Sequence, residues 1–496
     1  MTPMTKNSGK SFLKNFPEAL LNESGAVFIG AGVSMGAGYP SWATLLEEIG
    51  DELGVNPRDV YDLAALAQWS IHESGGSRTS IQRVLRQQIA VEHQVPDSLK
   101  IISRLPLRQI WTTNYDRLIE RAFSEINRPI DVISGEKDLS TPARPGSVRL
   151  HKMHGSIDRL DDIVISTDDY ELFRKKRGAF LPLLQAHLTS MSMLFIGLSF
   201  SDPNIRHVLS LIRESFSDSP PEHYAIIRPP QEHDFDTESE FQAKSVQHKL
   251  WSKDLRRYGL NVVEVNNYED ISGLLIDIER RVARRRVWVS GSWPTEALTP
   301  EATKNYSISE ALGTLIGEDG LSLVSGAGLL VGSATISGFM SSLRNSGGWD
   351  LERRLIVRPF PQPIKGKSPD QQQWANLRKE LVRLSGVVIF VGGVKFVDGK
   401  LVVADGVMKE FQLAKENNSF LVPIGTTGGA AKLICEELIE SNLPSSGDEA
   451  IRPTDKELKI LNEPDMSIDR IIEIVGRILK RSLGKLSDNT RYMTKM

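Results

Sequence analysis

The chain has 496 residues, which at roughly 150 residues per domain predicts more than one folded domain. Sixty Lys and Arg against 63 Asp and Glu give a formal net charge of −3. This lacks the basic excess of proteins whose main task is to grip nucleic acid, so we expect no nucleic-acid partner. Apolar residues at 40% and charged residues at 25% are typical of a soluble globular protein.

The absence of targeting signals and the single cysteine narrow the class of protein further. The apolar runs are far shorter than the roughly 18 residues that span a bilayer, and the N-terminus lacks a secretory signal pattern, so we expect a cytoplasmic protein without a membrane partner. Cys435 is the single cysteine. It excludes a disulfide framework and any zinc site made of several cysteines of this chain, and we expect no metal.

Short apolar runs alternate with segments of helical periodicity along the chain, which is typical of parallel sheets covered by helices. We predict an α/β protein with two Rossmann-like parallel-sheet domains, the first with a helical insert between Ser34 and Ile110. The first domain's strands are predicted at 26–30, 110–113, 149–153, 193–198, 224–228 and 261–265. The second domain's strands are predicted at 287–290, 321–325, 354–357, 387–391 and 420–424.

A run of arginines marks the predicted domain boundary. Five of the seven residues 280–286 are Arg, and a strand pattern follows at once. We therefore predict domains at 1–283 and 284–496. The run could hold phosphates or a partner's acidic face, although a solvated last turn of a helix is the simpler interpretation.

Four motifs follow predicted strands in the first half. A loop with two glycines and a serine runs from Gly30 to Ser34, and Asn114 and Asp116 follow the next strand. His154 precedes Gly155, and a later strand ends in a Gly-x-Ser sequence at 197–199. Ligands bind at the carboxyl ends of parallel strands, and glycine lets the backbone approach a phosphate, so we predict a nucleotide diphosphate site.

These motifs resemble those of the sirtuin superfamily, whose NAD-binding domains carry Gly-Ala-Gly-x-Ser, Thr-x-Asn-x-Asp, His-Gly and Gly-x-Ser sequences. The resemblance implies NAD+ as substrate, with Asn114 holding the nicotinamide ribose or the attacking water and Asp116 supporting that site. It implies His154 as general base or ribose partner, since a neutral imidazole can accept a proton at neutral pH. The implied NAD-binding residues are Gly30, Ala31, Gly32, Ser34, Gly197, Ser199 and Asn267.

Two details separate this chain from a zinc-bearing deacylase. Protein-deacylating sirtuins fold a module around zinc held by four cysteines, and Cys435 stands alone here. His151 lies three residues before His154, and we interpret it as a structural residue on the other face of the strand rather than as half of a metal site.

The second half repeats the strand-then-glycine pattern, and cations follow its later strands. It resembles the SLOG family, whose members sense nucleotide-derived signals, whereas the catalytic loop of related processing enzymes survives only as a remnant at 391–394. The resemblance therefore implies binding without catalysis. The implied signal-binding residues are Gly326, Gly328, Leu330, Gly332, Ser333, Arg358, Arg378, Lys395 and Glu410.

A sirtuin-like domain followed by a SLOG domain resembles the NAD-consuming effectors of the bacterial Thoeris anti-phage system. That resemblance implies an NAD+ hydrolase that releases nicotinamide and ADP-ribose when a cyclic ADP-ribose isomer, made by a TIR-domain partner, binds the second domain. It also implies a homo-oligomer, a tetramer. Two alternatives stay open: an NAD-dependent deacylase or ADP-ribosyltransferase, and a non-catalytic NAD or ADP-ribose sensor.

Overall fold

A computed structural model describes residues 3–198, 222–294, 299–345, 350–361, 370–446 and 450–485, with residues 205, 209, 210, 213 and 347 between these ranges. The chain forms two compact units, an N-terminal unit within Met1–Glu279 and a C-terminal unit within Arg280–Asn489. Each unit is built on a parallel sheet with helices, which confirms the predicted fold class.

The N-terminal unit has seven strands, all parallel, in the order β3-β4-β2-β1-β5-β6-β7. They are β1 Gly25–Ile29, β2 Gln109–Thr112, β3 Ile130–Ile133, β4 Val148–Lys152, β5 Ser192–Ile196, β6 His223–Ile227 and β7 Leu260–Glu264. The first strand, β1, pairs with β2 on one side and β5 on the other. The order reverses here, and such a switch point is where open α/β sheets bind ligands.

Helices surround this sheet and form the predicted insert, which lies between β1 and β2. The helices are α1 Pro3–Leu21, α2 Ala31–Gly36, α3 Trp42–Leu45, α4 Glu47–Leu53, α5 Leu63–Glu73, α6 Thr79–Gln88, α7 Asp97–Arg104, α8 Leu118–Glu125, α9 Glu136–Leu139, α10 Thr167–Glu171, α11 Phe173–Lys176, α12 Phe180–Ser190, α13 Glu238–Leu255 and α14 Asp270–Arg284. Short 3-10 turns occur at Pro57–Asp59, Leu160–Asp162, Glu232–Asp234 and Arg256–Tyr258. In the insert, the Asp62 side chain caps α5 by accepting from the Ala64 amide at 3.0 Å.

The C-terminal unit has five parallel strands in the order β10-β9-β8-β11-β14 and a separate antiparallel hairpin. Its strands are β8 Arg286–Ser292, β9 Ser322–Ser325, β10 Leu355–Val357, β11 Val387–Gly392, β12 Val394–Val397, β13 Lys400–Val403 and β14 Phe420–Ile424. Its helices are α15 Pro300–Glu318, α16 Val331–Asn345, α17 Leu351–Arg354, α18 Gln371–Leu384, α19 Asp405–Glu416, α20 Gly429–Glu440, α21 Asp455–Leu461 and α22 Ile468–Lys485, and Gly425–Thr427 forms a 3-10 turn. The order again reverses at the first strand, between β8 and β11.

The arginine run is packed rather than solvated. Arg281 and Arg284 are each 6% exposed. Arg284 donates to the carbonyls of Ser482 at 3.1 Å and Ala450 at 2.9 Å, and its guanidinium lies 5.4 Å from the Phe420 ring centre. The simpler interpretation as a solvated helical turn is therefore wrong for these two buried residues, and Arg284 packs within the C-terminal unit.

Cys435 lies on α20 and is fully buried. Its Sγ lies 3.3 Å from the Leu458 carbonyl oxygen. Burial raises the pKa of this thiol to about 12, so the nucleophilic thiolate is scarce at neutral pH. Across the ranges given above, no helix is both long and apolar enough to cross a bilayer.

Three histidines, on β4, α12 and β6, pack within the N-terminal unit and take no part in the motifs. The His151 ring stacks on Trp111 with centroids 4.3 Å apart, and its Nε2 lies 2.9 Å from Gln109 Oε1. Burial lowers the pKa of His151 to about 3 and those of His187 and His223 to about 4. The interpretation of His151 as structural agrees with this packing, because a group this hard to protonate is held neutral.

These histidines predict acid sensitivity. A lowered folded-state pKa means that the unfolded chain binds more protons below pH 6.5, so the free energy of unfolding falls as the pH drops from about 6.5 toward 4, by up to about 1.4 kcal/mol per pH unit for each histidine. Urea unfolding between about pH 7.5 and pH 5 should show this slope. His151→Gln should flatten it, whereas His72→Gln, at an exposed position, should leave it unchanged. Equal slopes in all three proteins would contradict the assignment.

Candidate functional site

Asn114 stands at the centre of the N-terminal site, just beyond the end of β2. It is 8% exposed, and its amide Nδ2 donates to the Gly30 carbonyl at 3.0 Å and to Ser34 Oγ at 2.8 Å. A carbonyl oxygen only accepts, so this contact fixes which way the amide points. Oδ1 is buried and has no hydrogen-bond partner among the described residues. An unsatisfied buried acceptor costs about 1–3 kcal/mol, which a ligand's hydroxyl group would relieve.

The hydrogen bonds continue from Asn114 through Ser34 to Asp116. Ser34 Oγ donates to Asp116 Oδ2 at 2.6 Å, and the other carboxylate oxygen accepts from the Leu118 amide at 2.9 Å. All three side chains of this relay are less than 10% exposed. The relay therefore joins the glycine loop after β1 to the turn after β2, and it holds a carboxylate one hydrogen bond behind the asparagine.

The two glycine motifs of this unit pack on each other. Gly30 and Gly32 donate from their amides to the carbonyls of Ile196 and Gly197, each at 2.9 Å. A Cβ on Gly30 would lie only 2.3 Å from the Gly197 carbonyl oxygen. The glycines thus allow the loops after β1 and β5 to touch at the switch point, and the Gly32 amide is already used there. Ala31, between them, is exposed.

His154 follows the neighbouring strand β4 and lies at the same carboxyl end of the sheet as Asn114. Because β4 ends at Lys152, His154 lies in the turn beyond the strand, and strand alternation does not decide which way it points. The Met153 amide donates to the Thr112 carbonyl at 3.1 Å, so the turns carrying His154 and Asn114 start side by side. The His154 ring is 3% exposed and lies edge-on to Tyr170, with centroids 5.5 Å apart.

Two further predicted NAD-binding residues fall elsewhere. Ser199 lies outside the described residues. Asn267 is exposed in the loop after the edge strand β7, where its backbone amide donates to Asp270 Oδ2 at 2.9 Å. Strand β6 separates it from the switch point, so the structure does not place Asn267 with Asn114 and His154.

A charged cavity of about 440 Å³ adjoins the relay. Its walls come from the helical insert at 86–92, from the turn after His154 at 157–161, and from Tyr39 and Arg117. The Tyr39 amide donates to the Ser34 carbonyl at 3.1 Å. Burial first, and then the charge of Asp116, raise the pKa of Tyr39. The cavity and the relay therefore share a wall.

The C-terminal unit also has a cluster of buried polar side chains at the switch point of its sheet. Ser290 Oγ, near the end of β8, donates to Glu410 Oε2 at 2.6 Å, and Arg378 Nε lies 3.3 Å from Oε1. The Arg378 guanidinium also lies 5.5 Å and 5.6 Å from the ring centres of Phe360 and Trp374. Burial raises the pKa of Glu410, in spite of Arg378. Arg378 and Glu410, which the resemblance pairs as signal ligands, are in contact.

The remaining implied signal residues lie elsewhere in the C-terminal unit. Arg358 and Lys395 are about half exposed, and each pairs with a carboxylate of its own, Glu380 at 2.6 Å and Asp405 respectively. Gly326, Gly328 and Leu330 lie in the glycine loop after β9, and Gly332 and Ser333 lie in the first turn of α16. Within the loop, Ala327 and Leu330 adopt positive φ angles of 49° and 57°. Such strain in non-glycine residues is concentrated at ligand-binding segments.

Comparisons with known proteins decide the family. Residues 108–249 match the model of the SIR2-like domain, and residues 270–482 match that of the Sir2- and TIR-associating SLOG family. An NAD(+) hydrolase ThsA from Bacillus cereus is 36% identical over 427 residues, covering 85% of this chain and 87% of that protein. Another from Enterococcus faecium is 32% identical over 479 residues, covering 95% and 99%. The chain belongs to the ThsA family of NAD(+) hydrolases.

The ThsA family order, a SIR2-like domain before a SLOG domain, is the order predicted from the motifs. A third relative, an NAD(+) hydrolase ThsA from Acinetobacter baumannii, is 29% identical over 484 residues and covers 96% of this chain and all of that protein. Within the part of the chain that the structure describes, no group of three His, Cys, Asp or Glu side chains is placed to hold a metal ion.

Sequence reasoning missed several residues of this ThsA family chain. Ser290 had a signal, since it sits in a strand-to-glycine turn, but its partner Glu410 is 120 residues away. Tyr39 lies five residues after the Gly-Ala-Gly-x-Ser motif, and nothing in its neighbourhood indicated a cavity wall. Lys152 read as part of a strand, although its Nζ reaches the turn that carries Asn114.

Proposed function

We propose that this chain cleaves NAD+ with water to give nicotinamide and ADP-ribose, as an effector of anti-phage defence. The observation that carries the proposal is Asn114 Oδ1, a buried acceptor whose direction is fixed by Gly30 and which lacks a partner among the described residues. It stands beyond a strand end next to the switch point, and the names of the relatives, NAD(+) hydrolase ThsA, support the reaction.

The roles follow from the chemistry of the bond. When the bond between the pyridinium nitrogen and ribose C1′ breaks, nitrogen keeps the electron pair and nicotinamide leaves as a neutral molecule. Positive charge develops on the ribose, and the Asn114 amide oxygen, with Asp116 behind it, stabilises that charge. Water adds at C1′, and His154 accepts its proton, a step that general bases typically accelerate by about 10²–10⁴. Asn267 is retained as a proposed NAD contact on the resemblance alone.

Water as acceptor is favoured by two features. The chain has one cysteine, so the four-cysteine zinc module of deacylases has no counterpart. The cavity beside the relay is lined by charged side chains such as Arg117 and Asp158, which would desolvate poorly around an acyl chain. A nicotinamide release that requires a peptide would instead favour the deacylase or transferase.

Residues 284–496 are proposed as the sensor and residues 1–283 as the catalytic domain. A cyclic ADP-ribose isomer from a TIR-domain partner would bind at Arg378, Glu410 and Lys395 above the 326–333 loop. The family model named Sir2- and TIR-associating SLOG supports that class of partner. Activation requires that the isomer bind the active arrangement more tightly than the inactive one, here within a homotetramer.

The test is a chromatographic measurement of NAD+, nicotinamide and ADP-ribose with the purified protein, alone and with cyclic ADP-ribose or each of its isomers. We expect slow cleavage alone and at least about tenfold faster cleavage with one isomer. Bound NAD+ that stays intact for hours with every isomer would favour the non-catalytic sensor. Sedimentation velocity with and without the activating isomer tests the tetramer.

A further inference from the structure

Lys152 is the last residue of β4 and is completely buried. Lysine is among the residues least often found inside proteins, because its ammonium group must be paired and hydrogen-bonded there. It lies two residues before His154 and is aligned with Thr112 of β2.

The side chain reaches into the turn between β2 and α8. Nζ donates to the Asp116 carbonyl at 2.5 Å, to the Tyr115 carbonyl at 3.3 Å and to Glu120 Oε1 at 2.7 Å. An ammonium group has three hydrogens, and each one has an acceptor. All three acceptors belong to the turn that carries Asn114 or to the first turn of the helix that follows.

Other contacts also hold this turn. The Asn114 amide donates to Thr112 Oγ1 at 3.0 Å, and the Leu118 amide donates to Asp116 Oδ1 at 2.9 Å. The Tyr115 carbonyl accepts from the Ile157 amide at 2.9 Å as well as from Lys152, whereas the donor to the Asp116 carbonyl among the described residues is Lys152. The pairing of β2 with β4 does not need this side chain, since four residues on each strand are already in register. The ammonium group therefore fixes the turn rather than the sheet.

We propose that Lys152 is a positioning residue for NAD+ cleavage: it holds the turn after β2 so that Asn114 Oδ1 faces the substrate and Asp116 stays behind it. The inference rests on the proposed function. Displacing a group at a reacting centre by about 1 Å lowers the rate by roughly 10²-fold while the bulk of the substrate still binds. Loss of Lys152 should therefore reduce kcat far more than it changes KM.

Substitutions at Glu120 allow the effect of Lys152 on the position of the turn to be separated from its effect on the stability of the fold. Its Oε2 is buried without a partner among the described residues, so Lys152→Met alone would strand the carboxylate and destabilise the fold. The double variant Lys152→Met, Glu120→Leu replaces the pair with apolar groups, a change that is often neutral or stabilising. Glu120→Gln removes the charge but leaves the bonds from Nζ to the two carbonyls.

The experiment measures kcat and KM for NAD+ cleavage in the presence of whichever cyclic ADP-ribose isomer activates the wild type. It also measures the melting temperature of each variant. We expect the double variant to melt near the wild type, with kcat lower by roughly 10- to 100-fold and KM within about threefold. Glu120→Gln should keep kcat within about threefold. Lys415→Met, which breaks a more exposed Lys–Glu contact at 3.0 Å in the C-terminal unit, is the control for the substitution itself and should keep kcat unchanged. A stable double variant with wild-type kcat overturns the inference.

Hydrogen exchange supplies a readout that does not depend on turnover. Amides of residues 113–117 should exchange faster in the double variant, while those of β2 and β4 should exchange as in the wild type. Unchanged exchange in the turn overturns the positioning role. The two proposals can fail separately. If the wild type releases no nicotinamide with any isomer, the proposed function is contradicted. If the double variant still shows faster exchange at residues 113–117 in that case, the role of Lys152 in holding the turn stands.

Discussion

Asn114→Ala should reduce kcat for NAD+ cleavage by roughly 10²–10³-fold, the scale found when a preorganised polar group at a reacting centre is removed. The substitution deletes Oδ1, the acceptor that we place against the ribose or the attacking water. It also releases Ser34 and the Gly30 carbonyl, so a modest fall in stability of about 1–3 kcal/mol is expected. Initial rates of nicotinamide release and thermal melting measure both.

Two further variants serve as controls for Asn114→Ala. Asn114→Asp has nearly the same size but cannot donate to the Gly30 carbonyl, and we expect it to be as inactive as the alanine variant. Asn15→Ala, at an asparagine of α1 that bonds to Glu222, should keep kcat within about twofold. Wild-type rates in Asn114→Ala would remove the central residue of the site and with it the proposed chemistry.

Arg378→Ala should abolish activation by the cyclic ADP-ribose isomer. It removes the guanidinium held between Phe360 and Trp374 and leaves Glu410 buried without its counter-charge. Removing one partner of a buried pair typically costs about 3–5 kcal/mol, so the C-terminal unit should also melt earlier. Activation curves and calorimetry on the full chain separate the two effects. Full activation at wild-type isomer concentrations would exclude Arg378 from the signal site.

Glu410→Gln tests the same site without loss of volume. Because burial raises the pKa of Glu410, the folded state binds its proton more tightly than the unfolded chain does. The stability linked to that proton is present below about pH 4.5 and is lost as the pH rises through the folded pKa. The glutamine variant should therefore be at least as stable as the wild type near pH 8, and its advantage should shrink toward acid pH. The isomer concentration for half-maximal activation should still rise by at least about tenfold.

The strands that carry the site could be predicted because they are buried on both faces. The run from Ala26 to Ile29 is fully buried, and so is that from Val387 to Val391, so the apolar stretch itself marks the strand. Strand β3 escaped prediction because it is an edge strand with Asp131 in its middle. The hairpin β12–β13 escaped because its residues after Val394 are exposed and carry no core pattern.

The contacts within the site could not be predicted from the sequence, because the order of the strands in the sheet creates them. Gly30 and Gly197 each indicated an approach to phosphate, yet they touch one another, since β1 and β5 are neighbours although 167 positions separate the two glycines. The partners of Glu410 come from β8 and α18 by the same cause. Motifs therefore indicate candidate side chains, and topology decides which of them meet.

The burial of Cys435 has a practical consequence for studying signal transmission. A thiol with a pKa near 12 inside α20 will react slowly with maleimides, so the natural chain is silent to thiol-directed dyes. A cysteine introduced at an exposed position of either unit would then be the sole label site, without first removing the native one. Fluorescent pairs placed this way can follow the separation of the two units as a cyclic ADP-ribose isomer is added.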